Sequence, residues 1–249
     1  MLKRLVFLIP LIASILAWEL LAYLEIWNPT LFPPPLEAGK ALVEMYRSGE
    51  LWLDITSSAS RAAIGYFVGC ILGIVVGVVT GRVNWINKIL GPLINVLRAF
   101  PPVALVPFAI TWFGLGEFGK YFLVIWGVFF PVWVNTHVGV SAVDEDMIRV
   151  ADCLNVVGWR RVMELIVPSA IGHVLAGMQI AIGICFMCVF VAEMAGAYEG
   201  LGFRINTSYL IFRVDKMVAA LCMLGLMGAV SDFGFRMITR WLFPWTFKN

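Results

Sequence analysis

Six stretches of this chain, roughly residues 5–25, 62–81, 89–112, 120–142, 168–192 and 217–235, are each long and apolar enough to cross a bilayer as a helix. About 20 mainly apolar residues cover the hydrocarbon thickness. Lipid offers no partner for backbone N–H and C=O groups, and a helix satisfies them within one segment. The expected fold class is therefore all-α, a polytopic membrane protein with about six transmembrane helices in a single domain, 1–249. Composition agrees. Hydrophobic residues make up 61% of the 249 and charged residues 14%, against about 45–50% and 25% in soluble domains. No water-soluble core of this size hides so much apolar surface. A soluble enzyme, a disordered chain and a nucleic-acid module are excluded. A net charge of +2 is too small to hold a polyanion, so the expected surroundings are membrane lipid and no nucleic acid.

Lys3 and Arg4 precede the first apolar run, as in a signal peptide. The run is long, and Ile15 spoils the small-x-small pattern that cleavage before Trp18 needs, so an uncleaved anchor is expected. Six spans put both termini on one side. The segments on that side carry Lys3, Arg4, Arg82, Lys88, Arg149, Arg160, Arg161, Arg236, Arg240 and Lys248. The other side carries Lys40, Arg47, Arg61, Lys120, Arg204, Arg213 and Lys216. Ten cations against seven favour cytoplasmic termini by the positive-inside rule and leave the reverse open.

Within the second span Gly65, Gly69, Gly73, Gly77 and Gly81 recur every four residues. Such a row follows one helix face and lets a neighbouring backbone approach closely, so a helix-packing role is expected. The third span holds Arg98 beside Pro101, Pro102 and Pro107. Proline removes a backbone donor and breaks helices, and broken helices persist in membranes where they face protein or a wet cavity. Arg98 and the three prolines are candidates for the wall of a transport path. An arginine snorkelling to the interface explains Arg98 equally well. Glu193 closes the fifth span and is a further path candidate, although a solvated position near the water interface, like that of Asp232, is the simpler expectation. Cys185 and Cys188 form a C-x-x-C inside an apolar run, which reads as small apolar filler. His137 and His173 stand far apart, so no metal site is expected. Between the first two spans, Pro33 to Pro35 stop the chain. Residues 36–47 then read as an amphipathic helix with Leu42, Met45 and Tyr46 on its apolar side.

The segment 143–167 cannot span, because it carries Asp144, Glu145, Asp146, Arg149, Asp152, Arg160, Arg161 and Glu164. Yet Met147, Val150, Leu154, Val157 and Arg161 recur at helical spacing, with Cys153 on the same side. An apolar stripe on a helix of mixed charge fits a groove in another protein better than a lipid surface, where the polar face is mainly basic.

The stretch RVADCLNVVGWRRVMELIVPSAIGHVLAGMQIAIG resembles the signature cytoplasmic loop of binding-protein-dependent ABC importer permeases. That pattern is E-A-A, three residues, G, nine residues, I-x-L-P. It falls here on Arg149, Val150 and Ala151, then Asn155, then Leu165, Val167 and Pro168, with Arg149 in place of the acid, Val150 of an alanine and Asn155 of the glycine. SSASRAAIGYFVGCILGIVVG, PPVALVPFAITWFGLGEFGK, FFPVWVNTHVGVSAVD and VAEMAGAYEGLGFRI are similar to the subgroup that imports nitrate, bicarbonate, taurine and other sulfonates. The resemblance covers about 54–240. It implies a type I importer permease fold in a bacterial inner membrane. It also implies two permease copies around one path, two ATP-binding subunits below them, and an external substrate-binding protein. Arg149, Val150, Ala151, Cys153, Leu154, Asn155, Val157, Leu165, Val167 and Pro168 would couple the chain to the ATPase. No Walker-type G-x-x-x-x-G-K-[ST] is present, so the chain is expected to bind no cofactor and perform no catalysis, with ATP and Mg on the partner. A self-sufficient carrier or channel is the alternative. It would need internal repeats and buried ion-coupling acids, and the sequence offers no clear repeat and few acids.

Overall fold

The computed structural model describes residues 10, 13–14, 16–22, 24, 28 and 31–247. The first expected span, 5–25, lies mostly outside the described residues, as do Lys3, Arg4 and Lys248. The described elements are helical, and strands are absent among them.

The chain divides into two compact units, residues 1–58 with 197–226, and residues 59–196 with 227–249. The first holds α1 (Pro35–Arg47), the opening turns of α2 (Glu50–Arg82), α8 (Leu201–Leu210) and the start of α9 (Val214–Leu242). Pro35 starts α1, where a missing N–H costs nothing. The face that α1 buries is Ala38, Ala41 and Met45. Tyr46, expected on that face, is exposed. The small alanines let the helix backbone seat closely, which a count of large apolar residues does not reveal. Asp54, fully buried on α2, accepts the Gly200 N–H at 2.9 Å and the Arg204 Nε–H at 2.7 Å. Ser58 Oγ accepts the Leu201 N–H at 2.9 Å. The orphan donors at the start of α8 are thus satisfied by another helix. Gly200 has φ +122°, a conformation that glycine takes without strain. Outside the spans, hydrogen bonds from Lys216 and then Arg213 hold the Glu44 carboxyl below its ordinary value.

The second unit is a helix bundle. Its elements are the rest of α2, α3 (Asn84–Leu97), a 3-10 turn (Pro102–Leu105), α4 (Val106–Phe113), α5 (Glu117–Ser141), α6 (Glu145–Cys153), α7 (Gly158–Gly196) and the rest of α9. Four described helices, α2, α5, α7 and α9, are long and apolar enough to cross a membrane, and α3 with Pro102–Phe113 makes a fifth candidate bent by 89°. The third expected span is therefore broken. Arg98 caps α3, Pro101 precedes the 3-10 turn, Pro102 opens it, and Pro107 lies in the first turn of α4. Three rings without N–H groups confine the break to this short stretch.

The glycine row has a counterpart on α5. A Cβ built on Gly69, Gly73, Gly77 or Gly81 would lie 2.6–2.8 Å from Val128, Val132, Thr136 or Val140 respectively, and one on Gly65 would strike Val124. Both rows advance by four in the same direction, so α2 and α5 run parallel in contact along their length. α7 runs antiparallel to α5, since Gly127 faces Cys188 and Gly139 faces His173. Cys185 and Cys188 lie in the apolar core with Val124, Val128 and Val132. The segment between α5 and α7 therefore sits where α2 ends.

That segment is not one helix. α6 stops at Cys153, and α7 begins at Gly158, ten residues before the expected fifth span. Asn155 has φ +57° and Gly158 φ +61°. Asparagine is the side chain that best tolerates this left-handed region after glycine, so Asn155 can serve where the resembling pattern has glycine. Val162–Ile166 forms a wide π turn inside α7 just before Pro168, which cannot donate to the carbonyl one turn back. Ser169 Oγ donates to the Leu165 carbonyl there at 2.7 Å.

Candidate functional site: an exposed apolar step and a buried charge cluster

Asp144 caps α6 by accepting the Asp146 N–H at 3.0 Å, and Glu145 and Asp146 sit at its positive end. One face of α6 seats on the bundle. Ala151 is buried, and Ile148 packs against Val140, Val143, Ile166 and Ala170. Arg161 ties the far end by pairing with Asp152 and donating to the Val156 carbonyl at 3.1 Å. Anchored this way, the segment presents Met147 (53% exposed), Val150 (58%), Leu154 (70%), Val157 (55%) and Trp159 (70%). Trp159 was missed in the sequence because it falls off the stripe of a continuous helix. It follows the turn at Asn155 and is as exposed as Leu154.

The other expected coupling residues divide. Cys153 and Arg149 are exposed, with Arg149 pairing to Glu145 and Asp146 on its own helix. Ala151 faces inward. Leu165, Val167 and Pro168 lie within α7, the first two half-buried and Pro168 exposed. The set is a seat plus a presented face, not one surface.

At the opposite end of this unit lies a cluster that the sequence reading misplaced. Arg61, counted as a loop cation, is 3% exposed on α2. Its Nη1 donates to Glu193 Oε1 at 2.9 Å, and its Nε and Nη2 donate to the two Glu117 oxygens at 2.8 and 2.9 Å. Lys120, also counted as a loop cation, is buried and donates to Glu117 at 2.8 Å. Glu193 is fully buried, not solvated as expected. Its place as a path candidate rests on this cluster. The signal was available: two acids and two cations each lie at the edge of an apolar run, where the pairing that membrane burial demands is with one another.

On the α3 side, Arg98 lies in the wall of a concavity of about 530 Å³, with Lys88, Asn87, Asn95, Trp133 and His137. Trp133 Nε1 donates to Thr80 Oγ1 at 3.1 Å, and His137 Nδ1 lies 3.1 Å from the same hydroxyl. Among the described residues no group of three metal-capable side chains converges.

Residues 69–244, more than half of the chain, match the family described as the binding-protein-dependent transport system inner membrane component. The chain belongs to that family. A protein of Methanocaldococcus jannaschii described as an ABC transporter permease is 33% identical over 249 residues, covering 98% of this chain and 93% of the relative. The aliphatic sulfonates transport permease SsuC of Escherichia coli is 32% identical over 234 residues, covering 94% and 89%. An inward-facing structure of the MetNI methionine ABC transporter contains a similar chain, with TM-score 0.64 over 75% of this chain and 93% of that one, at 16% identity. The expected fold is thereby shown: this multi-pass chain has the type I importer permease fold. Its family is that of ABC importer permeases, and catalysis is not the family's role.

Proposed function

We propose that this chain is the membrane subunit of an ATP-driven importer for a small anion, a taurine-like sulfonate first and nitrate or bicarbonate next. Two copies form the path, two ATP-binding subunits carry ATP and Mg, and an external binding protein delivers the cargo. The membrane is the cytoplasmic (inner) membrane, with both termini in the cytoplasm. The observation that carries this reading is the exposed apolar step of Met147, Val150, Leu154, Val157 and Trp159. Fully burying one large apolar side chain is worth about 1.5–3 kcal/mol, so five of them on a seated segment make a strong docking face for a cytosolic motor. An ATPase pair that prefers one spacing of its docked segments can then bias the bundle between two states. The sulfonate reading draws on the SsuC likeness. Orientation gains support from Arg61 and Lys120: being buried and ion-paired, they leave the loop count at ten cations against five. A self-sufficient carrier finds no such support. The buried carboxylates Asp54 and Glu193 already have arginine counter-ions, where a coupling carboxylate must meet a proton or sodium ion.

Leu154→Asp puts a charge into the middle of the docking face without touching the bundle. The expected result is loss of ATPase co-purification by tenfold or more and loss of ATP-driven uptake, with insertion and thermal stability unchanged. Unchanged co-purification and uptake would remove the docking assignment.

A further inference from the structure

Most cations on described helices have a carboxylate within reach. Arg61, Lys120, Arg149, Arg160, Arg161, Arg204, Arg213, Lys216 and Arg236 all do. Like Lys40, Arg47 and Arg82, Lys88 and Arg98 have no such partner among the described residues. They lie in the wall of the same concavity, ten residues apart on and just beyond α3, and no acid lines it. Both are exposed, so their pull on an anion comes from two like charges beside one space with no acid in its wall. Two unanswered cations aimed at one space of about 530 Å³ call for an anion.

The rest of the wall fits an oxyanion. Asn87 and Asn95 supply amide groups, and Trp133 and His137 close the side formed by α5. Asn95 Nδ2 is anchored on the Gly91 carbonyl at 2.9 Å. Gly91 has no Cβ, and one built there would lie 2.7 Å from Asn87 Oδ1, so the glycine makes room for the Asn87 amide. Trp133 and His137 are held by the Thr80 hydroxyl, which donates to the Val76 carbonyl at 2.8 Å. The wall is therefore fixed on both sides before a ligand arrives. Charge-assisted hydrogen bonds from a guanidinium and an ammonium suit sulfonate, nitrate or phosphate oxygens. The 89° break beside Arg98 is of the kind that persists in membranes where it faces protein or a wet cavity.

We propose that Lys88 and Arg98, with Asn87 and Asn95, form a binding site for a small singly charged oxyanion at the end of the bundle that carries α6. Its part in transport rests on the permease reading, as a station for the cargo near the docking segment. The site itself does not depend on that reading. The same chemistry would also take the phosphate of a lipid headgroup, and the test separates the two.

The 249-residue chain is placed in nanodiscs of phosphatidylcholine alone and titrated with methanesulfonate and with nitrate by calorimetry. Wild type is expected to bind at least one of them. Lys88→Gln and Arg98→Gln are each expected to weaken binding by about tenfold or more, the scale of one lost charged hydrogen bond. Lys88→Arg should keep most of the affinity, and Lys40→Gln, a cation on α1, should change nothing. Both tested side chains are exposed, and equal melting temperatures would show that the variants fold. Binding equal in wild type and both variants overturns the site. So does absence of anion binding together with phosphatidylglycerol that co-purifies with wild type and is lost in the variants, which would make it a lipid site. A chain that recruits its ATPase and imports cargo normally as Lys88→Gln/Arg98→Gln would sink the site's part in transport and leave the permease reading standing. Anion binding without any ATPase partner would do the reverse.

Discussion

Replacing Arg61 by leucine is expected to lower the melting temperature of the purified chain by roughly 6–20 °C and to cut its yield in membranes. The guanidinium is the centre of the buried cluster, bonded to both Glu117 and Glu193. Its loss takes the arginine counter-ion from Glu193, which has no exposure. Breaking a buried pair from one side costs about 3–5 kcal/mol, because the remaining charge has lost both water and its partner. For a chain of this size each kcal/mol moves the midpoint by about 2–4 °C. The double variant Arg61→Leu/Glu193→Leu tests the cause. Removing both charges leaves no stranded carboxylate, and apolar replacement of a whole buried pair is often neutral or stabilising. The double variant should therefore melt well above the single one. A single variant that melts with wild type would show that the cluster does not tie α2, α5 and α7 together. A double variant no better than the single would show that shape, not charge, is what Arg61 supplies.

Gly73→Leu should do comparable damage by a different route. The row on α2 lies so close to α5 that a Cβ at Gly73 would sit 2.8 Å from Val132 Cβ and 2.9 Å from the Phe129 carbonyl oxygen. One contact is backbone, so no rotamer change relieves it. Overpacking of this kind costs about 1–3 kcal/mol even where side chains can shift, and here two helices would have to part. The expected outcome is a chain that accumulates poorly and melts early. Gly73→Ala should show a smaller loss of the same sign. Gly39→Ala is the control: nothing lies within 4 Å of its added Cβ, and alanine in a helix is favoured over glycine by about 1 kcal/mol. If Gly73→Leu keeps wild-type stability, close approach of α2 and α5 is not what the row provides.

These two sites also mark what could be read before folding. The glycine row was legible because it repeats on a fixed helical period, and period is a property of sequence. Its partner row, Val124 to Val140, was not, because β-branched residues spaced by four look like any apolar span. Only the parallel course of α2 and α5 pairs them. The break at Pro101 and Pro102 was legible since proline acts locally. The true end of α6 was not, because helical spacing continues through Leu154 and Val157 while the backbone turns at Asn155. The concavity around Lys88 lay equally out of sight. Arg98 was noticed as a lone charge, but its companion belongs to an earlier turn of α3, and the indole and imidazole opposite come from α5.

Sequence by itself determined the medium and the material: a chain this apolar must live in lipid, and lipid admits helices because backbone polar groups have no other partner there. It also carried the resemblance to the permease family, in the loop motif and the stretches that flank it. Tertiary structure alone decided which charges answer one another. Arg61, Glu117, Lys120 and Glu193 are scattered over three helices, and Lys88 and Arg98 are left without an acid. Ion pairing falls off with distance in space, which helix packing sets, and not with separation along the chain.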